Sequence, residues 1–515
     1  MPLRHASGFA GFSGFAGLRT ARRDERLWLL GLVVVTLCSW GRWLASGSLK
    51  VDQSYPSALA GALLLVALSA GYGLVVFAWA GFVQRPLENP RRLAYAGLAV
   101  TAFMLPMLSN DIFNAFAFAS QAVRGDDVYT TADALQRSVW SPWIGEHWNN
   151  TVCVYGPTTL ITLFPVALVG AHPFVALLVL RLTWFIPLVV VMELSFRRLA
   201  DRPFFHTMVW LNPLFLLEGP GQLHSDLLCV VAITAGILLH RRGHLRTGWS
   251  AFSLAVLGKY TFAVTGAWFW LAGTKTWKER IVRAPVIAAI VGVLGVIAFA
   301  PFWHGSATLF EPPLTLSRMN PGGTLTEVAG ILVHIARGGA APSPEMSVTE
   351  ALAADRATHG ATWSFVSLVL GLIVLRIAIH VFAAILQKPK DEDLAALGTG
   401  ILIVALATLA ARRFEPWYLM AALPFFGLRC TNEWKRWWIA AVAAAVAPTF
   451  MNLLPRSAAL LPVWSVVTTA SAMVVFLTSF KARYLSLDEG GRGEGEMADV
   501  IPAHVGTASV DREAA

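Results

Sequence analysis

Charge is scarce in this chain: only 14% of its 515 residues are Asp, Glu, Lys or Arg, while 56% are hydrophobic. A soluble multidomain protein of this length would need far more polar surface, so a soluble fold is excluded. Cysteine is nearly absent. Cys38, Cys229 and Cys430 fall within or beside apolar runs and Cys153 stands alone in a polar loop, which leaves neither a disulfide framework nor metal-type spacing. There is no detectable internal repeat, and no convincing cleavage site follows the first apolar run. The net charge of +9 does not point to nucleic acid, because the Lys and Arg residues sit mainly in short loops between apolar runs.

What remains is hydrocarbon. Mean hydropathy is +0.60, and many apolar runs reach the length that spans a bilayer. The reading is an all-α polytopic membrane protein. Segment 1–26, with Arg19, Arg22, Arg23 and Arg26, reads as cytoplasmic, and 27–480 as the membrane domain. Spans are expected at 27–40, 57–81, 93–108, 207–219, 227–240, 281–301, 363–386, 394–411, 417–429, 436–453 and 460–480. Between Pro157 and Arg197 lie two apolar runs, 158–171 and 174–194, where basic-loop sidedness permits an odd number of crossings. Residues 249–273 lead from one basic loop to another and are expected to turn back partway, with Lys259 at the turn. About 13 crossings result. The Trp residues, 20 in all, are expected as interfacial belts. Two large outer loops, about 109–157 and 302–362, are expected to bear interfacial helices, including amphipathic pieces at 324–336 and 347–358. The Gly/Glu-rich tail, 481–515, reads as cytoplasmic and disordered.

The stretch 109–129, SNDIFNAFAFASQAVRGDDVY, directly follows the third run. A helix over 111–124 would gather Asp111, Asn114 and Gln121 within about 80° and turn Phe113 and Phe116 the other way, toward lipid. Three more polar clusters fall on the same outer side. Gln222, His224 and Asp226 form one, and Lys259 with Tyr260 another. The last is Arg412-Arg413-Phe-Glu415-Pro-Trp417-Tyr418. An outer Arg pair runs against the positive-inside bias, and a Lys within an apolar stretch must find a partner. Two Arg and a Lys at the membrane boundary suit a lipid-borne phosphate, and a separate carboxylate, Asp111, suits general-base work on a hydroxyl.

The order of these motifs resembles the polyprenol-phosphate-mannose-dependent alpha-1,6-mannosyltransferases of the GT-C superfamily. They are Asp111 after the third run, Gly125-Asp126-Asp127-Val128-Tyr129, Tyr155-Gly-Pro, His224-Ser225-Asp226, Gly258-Lys259-Tyr260 and Phe414-Glu415-Pro-Trp417-Tyr418. The sequence departs from the family where Val128 replaces a common Pro and Ser225 replaces Asn. The resemblance implies a GT-C fold and sugar transfer with inversion. Asp111 would act as base, and Lys259 with Arg412 or Arg413 would hold the departing polyprenyl phosphate. His224, Asp226, Tyr155 and Trp417 would shape the sugar pocket. The partners implied are a polyprenyl-phosphate sugar donor, a glycan or glycolipid acceptor and the bilayer. No cofactor is expected: GT-C enzymes differ in metal use, and no Asp-x-Asp pair stands beside Asp111. The location implied is the plasma (inner) membrane, with the site facing the periplasm or exterior. A polytopic lipid or glycan transporter or flippase, a GT-C enzyme with a different lipid-linked sugar, and a non-catalytic membrane scaffold stand as alternatives.

Overall fold

The protein is described from a computed structural model over residues 10–49, 58–84, 87, 89–107, 109–132, 135–144, 150–170, 172–318, 360–388, 391–410 and 416–428. Every regular element among them is helical. In chain order the α-helices are α1 (Ala10–Ser46), α2 (Ala58–Gln84), α3 (Pro90–Thr101), α4 (Asp111–Val123), α5 (Pro157–Ala167), α6 (Pro173–Arg198), α7 (Pro203–Val209) and α8 (Pro213–Leu216). They continue as α9 (Asp226–Arg241), α10 (Leu245–Gly258), α11 (Gly266–Leu271), α12 (Trp277–Phe299), α13 (Ala307–Arg318), α14 (Gly360–Gln387), α15 (Glu392–Ala405) and α16 (Leu423–Leu428). The starts of α3 and α5 to α8 are written in the sequence as proline, whose fixed φ suits the first helical position and whose missing N–H is not needed there.

Among the described residues, five helices are long and apolar enough to cross a membrane: Arg22–Ser46, Leu59–Gln84, Pro173–Arg198, Trp277–Phe302 and Ser367–Gln387. The ambiguity between 158–171 and 174–194 resolves in favour of the second. α5 has 11 residues, about 16 Å of helix, whereas α6 has 26, about 39 Å.

Three expected spans take another form. The run 93–108 is helical only to Thr101 and continues as an extended segment. The run 207–219 is broken by Pro213 and Pro220, which cannot donate to the helical ladder. It becomes α7, then α8 and a π-turn at 217–221, and the segment Pro213–Gly221 meets α9 at 119°. The run 417–429 is a 3₁₀ stretch followed by the short α16. The turn anticipated within 249–273 is present: α10 ends at Gly258, Lys259 is extended, and a 3₁₀ segment leads into α11. The spans at 436–453 and 460–480, the pieces at 324–336 and 347–358 and the tail 481–515 lie outside the described residues.

Trp28, Trp79, Trp140, Trp184, Trp210 and Trp268 are fully buried core side chains and not belt residues. α4 likewise does not lie on lipid. Phe113 and Phe116 pack on Trp140 in the following loop, and Asn114 and Gln121 are buried with them. The loop folds back over the helix, so its apolar side meets protein.

Two contacts set the position of the site. α9 and α10 run antiparallel and touch backbone to backbone, where a Cβ on Gly236 would meet the Gly248 carbonyl oxygen at 3.0 Å. At the end of that pair the loop before α5 crosses the Gly258 turn. Gly156 N donates to Gly258 O at 2.9 Å and Thr159 Oγ1 donates to the same oxygen at 3.0 Å. A Cβ on Gly156 would stand 2.0 Å from Leu257 O, a backbone atom that cannot step aside alone. Gly156→Ala is therefore expected to cost about 1–3 kcal/mol and lower the Tm of the purified protein by several degrees. Gly292→Ala, in the interior of α12 where nothing lies within 4 Å, should not lower the Tm.

Candidate functional site

Asp111 is the first residue of α4, after Asn110, and its side chain is 24% exposed. Its main-chain oxygen accepts a hydrogen bond from the Tyr155 hydroxyl at 3.1 Å, and the Tyr155 carbonyl in turn accepts from Tyr129 at 3.0 Å. Burial, followed by the nearby Asp111 carboxylate, holds the Tyr155 phenol well above its ordinary pKa, so it stays a neutral donor. The loop 124–155 is thus tied to the start of α4 through two tyrosines.

From the other side comes the bend before α9. Leu223 sits at φ 61° with its side chain buried, a left-handed conformation that costs a bulky residue of order 1–3 kcal/mol. Among the described residues it is the one non-glycine with positive φ. The strain aims His224, whose Nδ1 lies 3.9 Å from Asp111 Oδ2 and whose Nε2 lies 3.3 Å from Glu218 Oε2. The imidazole lies flat on Trp417, with centroids 3.8 Å apart and planes 17° from parallel. One ring is therefore held between two carboxylates and against an indole.

At the adjoining helix ends, Lys259 Nζ donates to Asp226 Oδ2 at 2.7 Å. The ammonium also lies 4.2 Å from the centre of the Tyr418 ring. A lysine has three donors, and this pairing uses one. Asp111, Tyr155, His224, Asp226, Lys259 and Trp417 together line a single narrow cavity.

The remaining candidates are placed elsewhere. Asp127 builds the turn that follows Gly125: its Oδ1 accepts from the Tyr129 and Thr130 amides, each at 3.1 Å. Asp126 is half-buried beside it. Tyr129 is buried against Phe299 and Phe302. Gln222 Oε1 accepts from Met107 N at 2.7 Å and so fixes the extended segment that delivers Asp111. Arg412, Arg413 and Glu415 lie outside the described residues.

Sequence reasoning passed over Glu218, Arg42 and Arg181. Glu218 is wholly buried beside His224, and the signal was available as a lone acid closing an apolar run. Arg42 Nη1 donates to Met107 O at 3.2 Å, and Arg181 donates to Met104 O. These two side chains, from α1 and α6, clamp the carbonyls of the same extended segment.

The Asp226–Lys259 pair is almost closed to water, at 2% and 16% side-chain exposure. Lys259→Met leaves a buried carboxylate unpaired and should destabilise the protein by about 3–5 kcal/mol. Adding Asp226→Asn should return most of that loss. Thermal melting of both variants checks this, and additive losses in the double variant would contradict the pairing.

Residues 26–275 match the family model described as alpha-(1->6)-mannopyranosyltransferase, N-terminal domain, a range that holds Asp111, Tyr155, His224, Asp226 and Lys259. The chain is 25% identical over 370 residues to alpha-(1->6)-mannopyranosyltransferase A of Mycobacterium tuberculosis, covering 68% of this chain and 69% of that protein. It is 25% identical over 240 residues to alpha-(1->6)-mannopyranosyltransferase A of Corynebacterium glutamicum, covering 42% of this chain and 49% of that one. The family model, which spans just under half of the chain, these relatives and a set of helices long and apolar enough to cross a membrane together support its membership of the alpha-1,6-mannosyltransferases.

Proposed function

We propose that the protein is a GT-C-type membrane mannosyltransferase that moves mannose from a polyprenyl-phosphate carrier to a hydroxyl of a cell-envelope glycan or glycolipid. The reading places the site at the outer face of the plasma membrane, with inversion at the sugar carbon. The observation that carries it is the convergence of a carboxylate, Asp111, and an ammonium, Lys259, on one cavity walled by His224 and Trp417.

The parts suit the reaction. The Asp111 carboxylate, partly exposed where α4 begins, takes the proton of the acceptor hydroxyl. The acceptor oxygen forms its bond to the anomeric carbon as the bond from that carbon to the phosphate oxygen breaks. The electron pair leaves with polyprenyl phosphate, and the free donors of Lys259 lie on the cavity wall to receive the growing charge. Two basic residues adjacent in sequence to this wall, Arg412 and Arg413, are assigned to the same phosphate. Trp417, stacked on His224, backs the sugar pocket, while His224 positions the base: its Nδ1 faces Asp111, and Glu218 and the indole flank the ring. No cofactor is assigned a step. Positive charges at Arg197, Arg198, Arg241, Arg242 and Lys275 cluster at the opposite end of the helices, which supports an outward-facing site.

Asp111→Asn tests the base. It keeps size and hydrogen bonding but cannot accept a proton, so transfer from polyprenyl-phosphate mannose should fall at least about 10²-fold while donor binding stays within a few-fold of wild type. Turnover near the wild-type rate would remove Asp111 from the role.

A further inference from the structure

At the far end of the α9–α10 pair, one helix length from Lys259, a second cavity opens between the first turns of α10 and α12. Its volume is about 810 Å³, and the 14 residues of α10 put about 21 Å between it and the Asp111 site. Arg246, Lys278 and Arg283 contribute three permanent cations to its wall, joined by His244; the acid among them is Glu279. That acid is already engaged. Its carboxylate accepts from Lys275 N at 2.8 Å, while Glu279 N donates to the N-cap Thr276 Oγ1 at 3.2 Å. Arg283 is anchored on Ala272 O at 2.6 Å with its guanidinium over Trp249. Arg246 and Lys278 are exposed and form no ion pair among the described residues.

Two further features mark the ligand. The α10 N-terminus, residues 245–247, forms part of the wall and carries no side-chain cap, so its positive end faces the cavity alongside the cations. The other wall is apolar. Val282 lines it and is 58% exposed, and it continues along α12 into Trp277 and Ile281, at 56% and 67%. An anion with hydrocarbon attached satisfies both walls at once, whereas a free anion leaves the apolar one in water.

We propose that this cavity binds the phosphodiester headgroup of an anionic phospholipid from the leaflet opposite the Asp111 site, with the acyl chains lying along α12. The positive-inside bias makes this the cytoplasmic leaflet. The site is independent of mannosyl transfer: it needs only the helix ends and their charges.

Native mass spectrometry of the full chain, released from detergent after titration with phosphatidylglycerol or phosphatidylcholine, tests the proposal. Wild type should retain phosphatidylglycerol in clear preference. The double variant Arg246→Gln/Lys278→Gln should lose that preference by roughly tenfold or more, with its melting temperature unchanged because both side chains are exposed. Arg246→Lys/Lys278→Arg, which keeps the charges, should retain the lipid. Equal retention of the two lipids by wild type, or undiminished phosphatidylglycerol binding by the Gln variant, would overturn the site. A third arm adds inorganic phosphate at millimolar concentration. Complete displacement of the lipid by it would assign the cavity to a soluble anion and overturn the lipid assignment.

Discussion

An ammonium and a carboxylate 2.7 Å apart, buried at the junction of α9 and α10, constrain everything around them. Neither charge could remain there without the other. Because Asp226 begins α9 and Lys259 directly follows α10, the pair fixes the axial register of the two helices, and the close Gly236–Gly248 approach fixes their separation. The loop before α5 is then hung on the same junction through Gly258 O, and that loop carries Tyr155, which holds Asp111. Asp111 is therefore positioned by a short chain of contacts that starts from a charge pair, and the cavity lies where those contacts converge.

Six of the residues singled out from the sequence converge on one cavity: Asp111, Tyr155, His224, Asp226, Lys259 and Trp417. Their legibility has a physical origin. A charged or hydrogen-bonding side chain in an otherwise apolar stretch is expensive, so its presence carries information. The break at Lys259 was equally legible. What the sequence did not disclose is which apolar faces meet protein and which meet lipid. In a soluble protein the polar face of a helix betrays the outside; in a membrane both sides are hydrophobic and the period says little. Hence Phe113 and Phe116 read as lipid anchors although they pack on Trp140, and six core tryptophans read as belt residues. Glu218 was hidden differently. It follows the apolar run directly, and only the bend at Leu223 brings it against His224.

The two ends of the α9–α10 pair divide the chemistry of the molecule. At one end an acid, a paired lysine and an indole line a narrow cavity. At the other end cations and an uncapped helix start face the headgroup region, beside a helix whose surface is largely exposed hydrocarbon. The α9–α10 pair holds the two ends about one helix length apart.

The central claim is that Asp111 and Lys259 flank a bound lipid-linked mannose, the first near the acceptor and the second near the phosphate. A cryo-EM map of the protein with a non-transferable polyprenyl-phosphate mannose analogue examines this directly. The account predicts the phosphate within about 4 Å of Lys259 Nζ and the anomeric carbon separated from Asp111 by the space of one hydroxyl. Analogue density bound away from this cavity, with Asp111 and Lys259 untouched, would contradict it.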